Sequence, residues 1–333
     1  TRGLQLMTRP YFSILILTWN DARYLPACLE SLAAQAFTDF EVLLLDNGST
    51  TPIPQDLLTQ YSTLRLSLQR SETNLGFAGG NNLLAGQALG QYLALLNADA
   101  FPSPGWLESL HEASLRFANT FFASRLLKAD DPQQLDGEWN IYHASGMAWR
   151  RNHDQPLSRA SKREQPAWGA CAAAGVYPRE AFLAVGGFDE DFFAYMEDID
   201  LDFRLRLQGV QCVYLPQAVV RHVGSGSTSS HSDLAVFHGQ RNLVWTFVKD
   251  MPGALFWLLL PAHLVVNIIY LVAALFVPFG KQIARGKWHA LQGLPRMWAK
   301  RKQVQSTRKV SAWQIARHLD WNPFSPLIKL TFK

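Results

Sequence analysis

Four apolar runs separated by helix-patterned stretches fill the first hundred residues and leave few folds open. The runs are YFSILIL (11 to 17), FEVLLLD (40 to 46), LRLSLQ (64 to 69) and QYLALLN (91 to 97). A helix is predicted from about Tyr24 to Ala36, and another over FAGGNNLLAGQAL before the fourth run. Continuous apolar strands alternating with helices predict a parallel sheet covered on both faces. The polar residues then gather at one edge. Thr18 and Asn20 end the first strand, Asp46 and Asn47 the second, and Asn97 and Asp99 the fourth. Ligands of open α/β sheets sit outside the carboxyl ends of the strands, so this edge is the expected site.

The chain has neither G-x-G-x-x-G after the first strand nor a G-x-x-x-x-G-K-[ST] loop, which excludes the dinucleotide fingerprint and the P-loop. LLNADA instead puts Asp99 on the loop after a buried strand. Such an oxygen ligand suits Mg2+ or Mn2+ bound to substrate phosphates, and it equally suits a helix cap near Pro104. Three widely separated cysteines, Cys28, Cys171 and Cys212, have no metal-ligand spacing and point to a reducing compartment. The formal charge of +4 is modest and uneven, since residues 281 to 310 are basic with no Asp or Glu. No nucleic acid partner is expected.

FFAYMEDIDLDFRLRLQG (192 to 209) is ambiguous by pattern. Its alternation from Ile199 to Leu207 has the period of a strand. Asp is depleted from strands, however, and Asp200 and Asp202 stand four residues before Arg204 and Arg206, the favourable order on a helix. The expected element is a helix buried on two sides that begins with Glu197 and Asp198. By themselves these two read as ordinary first-turn acids.

SILILTWN, LLLDNGST, NLGFAGGNN, LLNADA, GGFDEDFF and MEDIDLDFRLRLQG, in that order over roughly residues 11 to 230, resemble glycosyltransferase family 2 and its bacterial rhamnosyltransferase-like branch. The resemblance implies an α/β GT-A fold: a Rossmann-like nucleotide-sugar-binding domain with a mostly parallel sheet. It implies inverting transfer from a dTDP- or UDP-sugar, with a divalent metal on the diphosphate. Where many relatives carry Asp-x-Asp, this chain has Asn97-Ala98-Asp99, which makes the metal less secure.

The same resemblance assigns residues. Asp198 takes the place of the catalytic base, oriented and kept ionised by the helix dipole. Asp46 is expected on the ring N–H of a pyrimidine, with Thr18, Asn20 and Asn47 beside the nucleoside. Asn74, Gly76, Gly79, Asn81 and Asn82 are expected around the diphosphate at a helix start, unless they form only a tight turn and its cap. Asn97 and Asp99 are expected on the donor, with Asp99 the ligand to the metal. His222, after the strand CVYLP, is a metal or diphosphate ligand or a structural histidine. The glycine–serine run that follows it is a candidate lid. WGACAAAGVYP (168 to 178) resembles a strand beside the acceptor, which makes Trp168, Gly169 and Glu197 acceptor-side candidates, with Trp168 as a stacking or a core residue. YHASGMAWRR reads as one strand of unknown role.

The chain divides by pattern into a GT-A domain over 1 to 235 and a helical region over 236 to 333. ALFWLLLPAHLVVNIIYLVAALFVPFG is long enough to span a bilayer, yet Pro261, His263 and Asn267 interrupt it and a basic, Trp-bearing stretch follows. The preferred expectation is paired or re-entrant helices in the inner leaflet, with the basic amphipathic helix on anionic headgroups at the cytoplasmic face. That arrangement would bring the enzyme to a lipid-linked glycan acceptor. The alternative is a soluble core or a homo-oligomer interface. Three functional classes stay open: a rhamnosyltransferase-like enzyme, a UDP-hexose transferase of the same fold, and a non-catalytic nucleotide-sugar or glycan-binding module.

Overall fold

A computed structural model describes residues 9–224 and 232–326, so most of the candidate lid lies outside the described residues. Strands β1 (Phe12–Thr18), β2 (Phe40–Asp46), β3 (Leu66–Arg70) and β4 (Tyr92–Asn97) alternate with helices α1 (Leu25–Ala33), α2 (Asp56–Gln60) and α3 (Gly76–Gln87). β5 (Ala100–Pro102), α4 (Trp106–Arg116), β6 (Thr120–Lys128), β7 (Leu135–Gly137), β8 (Asn140–Tyr142), β9 (Ala148–Arg150) and β10 (Gln165–Pro166) follow. Next come β11 (Gly175–Pro178), α5 (Arg179–Ala184), α6 (Glu197–Leu207) and β12 (Gln211–His222). The chain continues through α7 (Asp233–Asp250), α8 (Gly253–Ala273), α9 (Gly280–Gln292), α10 (Leu294–Ser306) and α11 (Ala312–Ala316).

The main path of the sheet runs β10-β12-β6-β11-β4-β1-β2-β3, with β5 on β12 and β7 on β6. β3, β2, β1 and β4 are parallel, as the uninterrupted apolar runs require, while β11 is antiparallel to both neighbours. Successive side chains point to opposite faces. Ile14, Ile16, Val42 and Leu44 accordingly enter one core, and Leu15, Leu43 and Leu45 the other. Two expectations need correction. YHASGMAWRR is not one strand but the hairpin β8–β9, closed where the amide of His143 donates to the Met147 carbonyl at 2.8 Å. Of WGACAAAGVYP only Gly175–Pro178 is strand.

α6 resolves the ambiguity of the alternating segment. It is a helix, and every residue in it except Asp198 is buried. Burying that many charges is tolerable only if each finds a partner. Asp200 pairs with Arg204 at 2.7 Å, the expected i,i+4 contact, and also with Lys249 of α7. Lys249 reaches Asp189 at 2.7 Å as well. The second expected pair does not form, because Arg206 donates instead to the carbonyls of Ala167 and Trp168.

Packing crosses the expected boundary near residue 235. One core cluster joins Tyr142, Trp168 and Phe203 to Trp245 and Phe247 of α7, Phe256 of α8 and Met297 of α10. Two of the basic residues in the tail are spent internally. Lys300 pairs with Asp189 at 2.5 Å and Asp191 at 2.7 Å, and buried Arg301 donates to the carbonyl of Val248 at 2.9 Å and to that of Met251.

α8 is a single 21-residue helix through Pro261, long and apolar enough to cross a membrane. Leu255, Phe256, Leu259, His263 and Val266 face the protein. His263 meets the Ser145 carbonyl at 2.9 Å and Asn267 donates to the His263 carbonyl of its own helix at 2.8 Å, so each polar interruption is partly satisfied, with His263 Nε2 and Asn267 Oδ1 left without a hydrogen-bond partner. The opposite face leaves Trp257, Leu258, Leu264, Val265 and Ile268 exposed, and Leu275 and Phe276 beyond it are 78% and 80% exposed.

Lys249→Ala removes the cation shared by two buried carboxylates. It is expected to lower the unfolding free energy by about 3–5 kcal/mol, read from denaturant titration at neutral pH. A loss below about 1 kcal/mol would mean that Arg204 and Lys300 suffice for Asp200 and Asp189.

Candidate active site

Strand register brings the polar edge together. Thr18 stands beside Asp46 and Leu17 beside Asn97, so the first, second and fourth strands end at one level. A cavity of about 470 Å3 opens there. Thr18, Asn47, Asn74, Gly76, Asn97, Asp99, Glu197, Asp198 and His222 all line it. Nine of the expected residues thus share one cavity, and seven do not.

Those seven have internal work. The Asp46 carboxylate is 1% exposed and binds Arg70, its cross-strand neighbour, and the amide of Ser49 at 2.9 Å. Asn20 accepts from the Thr50 amide at 2.8 Å. Asn81 donates to the Phe77 carbonyl at 2.9 Å within its own helix. Asn82 ties α3 to the Phe188 backbone through bonds of 2.8 and 2.9 Å. Gly79 sits against the Leu75 side chain. Trp168 is core, stacked on Tyr142 with Phe203 edge-on. At Gly169 an added Cβ would lie 1.8 Å from the Asp202 carboxylate, so the missing side chain makes room for α6. Gly76 does line the cavity, but the backbone that approaches it closely is its own chain, since a Cβ there would lie 2.5 Å from the Phe193 carbonyl oxygen.

Asp99 and His222 form one end of the site. The imidazole Nε2 lies 3.3 Å from the Asp99 carboxylate and 3.3 Å from the Asn97 amide, while Nδ1 meets the Asp136 carboxylate at 2.8 Å. Burial works against a charge on His222, but its bonds to Asp136 and Asp99 outweigh it and raise the imidazole to about 9. Arg150 pairs with the same Asp136 oxygen that meets His222. Among the described residues no three His, Cys, Asp or Glu side chains converge as a closed metal cage. Once the imidazole gives up its proton, an oxygen and a nitrogen facing each other, with the histidine's other nitrogen oriented by a carboxylate, fit a hard divalent cation that takes its remaining ligands from water and phosphate.

Asp198 and Glu197 bring two adjacent carboxyls to the same cavity. One Asp198 oxygen accepts from the Ile199 amide at 2.8 Å, and the other from Asn140 at 3.2 Å and the Ala172 amide at 3.4 Å. Burial pushes its pKa above the ordinary carboxylate value, and these donors together with the charge of Arg150 only partly offset that. The dipole of α6 therefore does not govern Asp198. Burial and the neighbouring Asp198 drive Glu197 far higher, and one of its carboxyl oxygens has no hydrogen-bond partner. Asp202 is raised by burial and by Asp198, and shares the Asn140 amide at 3.1 Å. The pair can thus hold one proton on Glu197 and leave Asp198 the anion.

The backbone entering α6 is unusual. Phe193, Tyr195 and Met196 all have φ of 65–66°, a region that costs bulky residues about 1–3 kcal/mol each. Residues 193 to 196 line the cavity. Sequence reasoning missed several contributors: Asp21 and Trp149 on the cavity wall, and Asp136, Asn140 and Arg150, which lie just before and within the stretch YHASGMAWRR. The available signal was an Asn opening the short stretch NIY, too weak to read without the hairpin.

Comparison with known proteins agrees with this geometry. The Glycosyl transferase family 2 profile matches residues 13–185, and that of Glycosyl transferase family group 2 matches residues 133–280. An N-acetylglucosaminyl-diphospho-decaprenol L-rhamnosyltransferase of Mycobacterium tuberculosis is 29% identical over 249 residues, 68% of this chain and 80% of the relative. A PGL/p-HBAD biosynthesis glycosyltransferase of Mycobacterium bovis is 30% identical over 219 residues, 65% of this chain and 75% of that protein. Among solved structures, GalNAc-T7 with UDP, GalNAc and Mn2+ superposes with a TM-score of 0.65 at 15% identity, covering 93% of this chain and 57% of that one. A mannosyltransferase from Pyrobaculum calidifontis with GDP-Man and Mn2+ gives 0.53 at 16% identity, covering 90% and 86%. The chain belongs to glycosyl transferase family 2, as a rhamnosyltransferase-like glycosyltransferase with the GT-A fold.

Proposed function

We propose that this enzyme inverts the anomeric centre as it moves L-rhamnose or a related hexose from a dTDP- or UDP-linked donor to a hydroxyl of a lipid-linked cell-envelope glycan. The observation that carries the reading is the position of Asp198 on one wall of the cavity, with Asp99 and His222 on the same cavity at the strand edge. Thr18 and Asn47 meet the nucleoside, and Asn74 with the start of α3 faces the diphosphate. Asp99 and His222 would hold the divalent ion, which when bound neutralises charge on the diphosphate.

Asp198 supplies the proton acceptor. As the acceptor hydroxyl oxygen bonds to the anomeric carbon, its proton passes to the Asp198 carboxylate and the bond from that carbon to the diphosphate oxygen breaks. The transition state has oxocarbenium character, as in glycoside hydrolysis. Glu197 keeps its proton beside Asp198, which leaves the attacking side with a single anion. Trp149, which lines the cavity, takes the acceptor-stacking role, while Trp168 has the core alternative of its two readings.

The acceptor's lipid is the finer part of the proposal. Trp149 and Met196 of the cavity wall pack with Val266 and Tyr270 of α8, so the apolar helix adjoins the attacking side of the site. An exposed apolar face of that size on one helix marks an interaction surface. Laid into the inner leaflet at the cytoplasmic face, α8 would keep the cavity at the depth where a lipid-linked glycan emerges. The name of the mycobacterial relative, whose substrate is a diphospho-decaprenol, favours this reading.

Asp198→Asn is expected to remove transfer while leaving donor affinity within a few fold, because a base acts in the transition state. In the wild type kcat/KM falls as pH drops through the raised Asp198 value, so the acid limb has its midpoint above the ordinary Asp value of about 3.9. Turnover of Asp198→Asn above a few per cent, measured over a panel of dTDP- and UDP-sugars, would remove Asp198 from the role.

Replacing Leu258, Leu275 and Phe276 together by Gln is expected to release the protein from vesicles of anionic phospholipid and to slow transfer to a lipid-linked acceptor, with donor binding unchanged. Vesicle binding at the wild-type level would show that this face does not meet the bilayer.

A further inference from the structure

We propose that Asn242, on α7 and outside the cavity, is a positioning residue for Asp198. Its side-chain amide holds residues 192 to 195 in the conformation from which α6 starts toward the site. The inference rests on Asp198 being the base.

Asn242 is fully buried. Its amide nitrogen lies 3.0 Å from the Phe192 carbonyl oxygen, 3.0 Å from that of Ala194 and 2.6 Å from that of Tyr195. Its own oxygen accepts from Arg241 Nε at 2.9 Å, and the Arg241 guanidinium also donates to the carbonyls of Asp191 and Phe192 at 2.9 Å each. Two consecutive side chains of α7 therefore grip the carbonyls of four residues in the segment 191 to 195. This is the segment that carries Phe193 and Tyr195 at positive φ, with Met196 following. No glycine is present there to adopt that conformation at low cost, so outside contacts must impose it.

A second grip comes from the opposite side. The Phe193 carbonyl accepts from the Ala78 amide at 3.1 Å and packs where Gly76 has no side chain. The segment is thus fixed between α3, at the strand edge, and α7. Asp198 begins two residues after Met196, and its three donors come from β8, the loop at Ala172 and the helix itself. A rotation of the start of α6 would separate the carboxylate from Asn140 and Ala172 without altering the strand edge or the Asp99–His222 end. The expected signature is a loss of kcat without loss of donor binding.

The experiment uses the full chain with Asn242→Ala and the milder Asn242→Ser, whose hydroxyl can replace one donated bond. For Asn242→Ala, kcat is expected to fall about 100-fold, the scale of a misplacement near 1 Å, with the donor dissociation constant within about threefold. The acid limb of the kcat profile should move to higher pH as Asp198 loses donors, and Asn242→Ser should recover part of both effects. If Asn242→Ala does not fold, the serine variant decides, with a lowered kcat at unchanged donor affinity supporting the proposal. A kcat within threefold of wild type, an unmoved acid limb, or a parallel loss of donor binding would overturn it. Should Asp198→Asn itself stay active, the assignment of the base fails first. Should it be inactive while Asn242→Ala is not impaired, only the positioning role fails.

Discussion

Two carboxylates adjacent in the chain cannot both be ionised cheaply where water is scarce, and at Glu197 and Asp198 this repulsion organises the site. Donors decide between them. Asp198 has the Asn140 side chain and two backbone amides, whereas one oxygen of Glu197 has none. The anion is placed on the residue that faces donors, and the proton on its neighbour. Asn140 spans Asp198 and Asp202, and so couples the hairpin β8–β9 to the whole first half of α6.

The cost of that arrangement is carried by the C-terminal helices. Apart from Asp198, α6 is buried, and its Asp200 is matched by Lys249 from α7 as well as by Arg204, with Lys300 of α10 holding the adjoining Asp189. The region that looks from composition like a detachable membrane appendage therefore closes the core behind the site. It does so without consuming the outer face of α8, which remains apolar and exposed. One segment serves two physical demands: its inner face provides paired charges and aromatic packing, and its outer face provides greasy surface.

Much of the fold was legible because it follows from local pattern. Uninterrupted apolar runs such as FEVLLLD predict strands buried on both faces, and β2 covers those residues. The polar strand ends found each other because parallel register leaves no alternative once the strands are aligned. The site was less legible wherever a side chain could serve either ligand or fold. Asp46 and Asn82 carry the right chemistry but spend it on Arg70 and the Phe188 backbone. Gly169 has no side chain on account of Asp202, 33 residues on, a contact that no window of sequence contains. Trp149 and Asn140 were hidden for the same reason, since their role exists only after a hairpin brings them to α6. Lys300 and Arg301 read as headgroup ligands from charge alone, yet the acids and carbonyls that take them up lie 50 or more positions away.

The role of Asp198 depends on which face of the donor sugar it occupies. The most direct measurement is a crystal structure of the full chain with Mn2+ and a non-transferable phosphonate analogue of a dTDP- or UDP-sugar. The diphosphate is expected beside Asp99 and His222, with the sugar between it and Asp198 and the carboxylate on the face opposite the diphosphate. A sugar whose opposite face is lined by other residues, or a nucleotide held outside this cavity, would contradict the account.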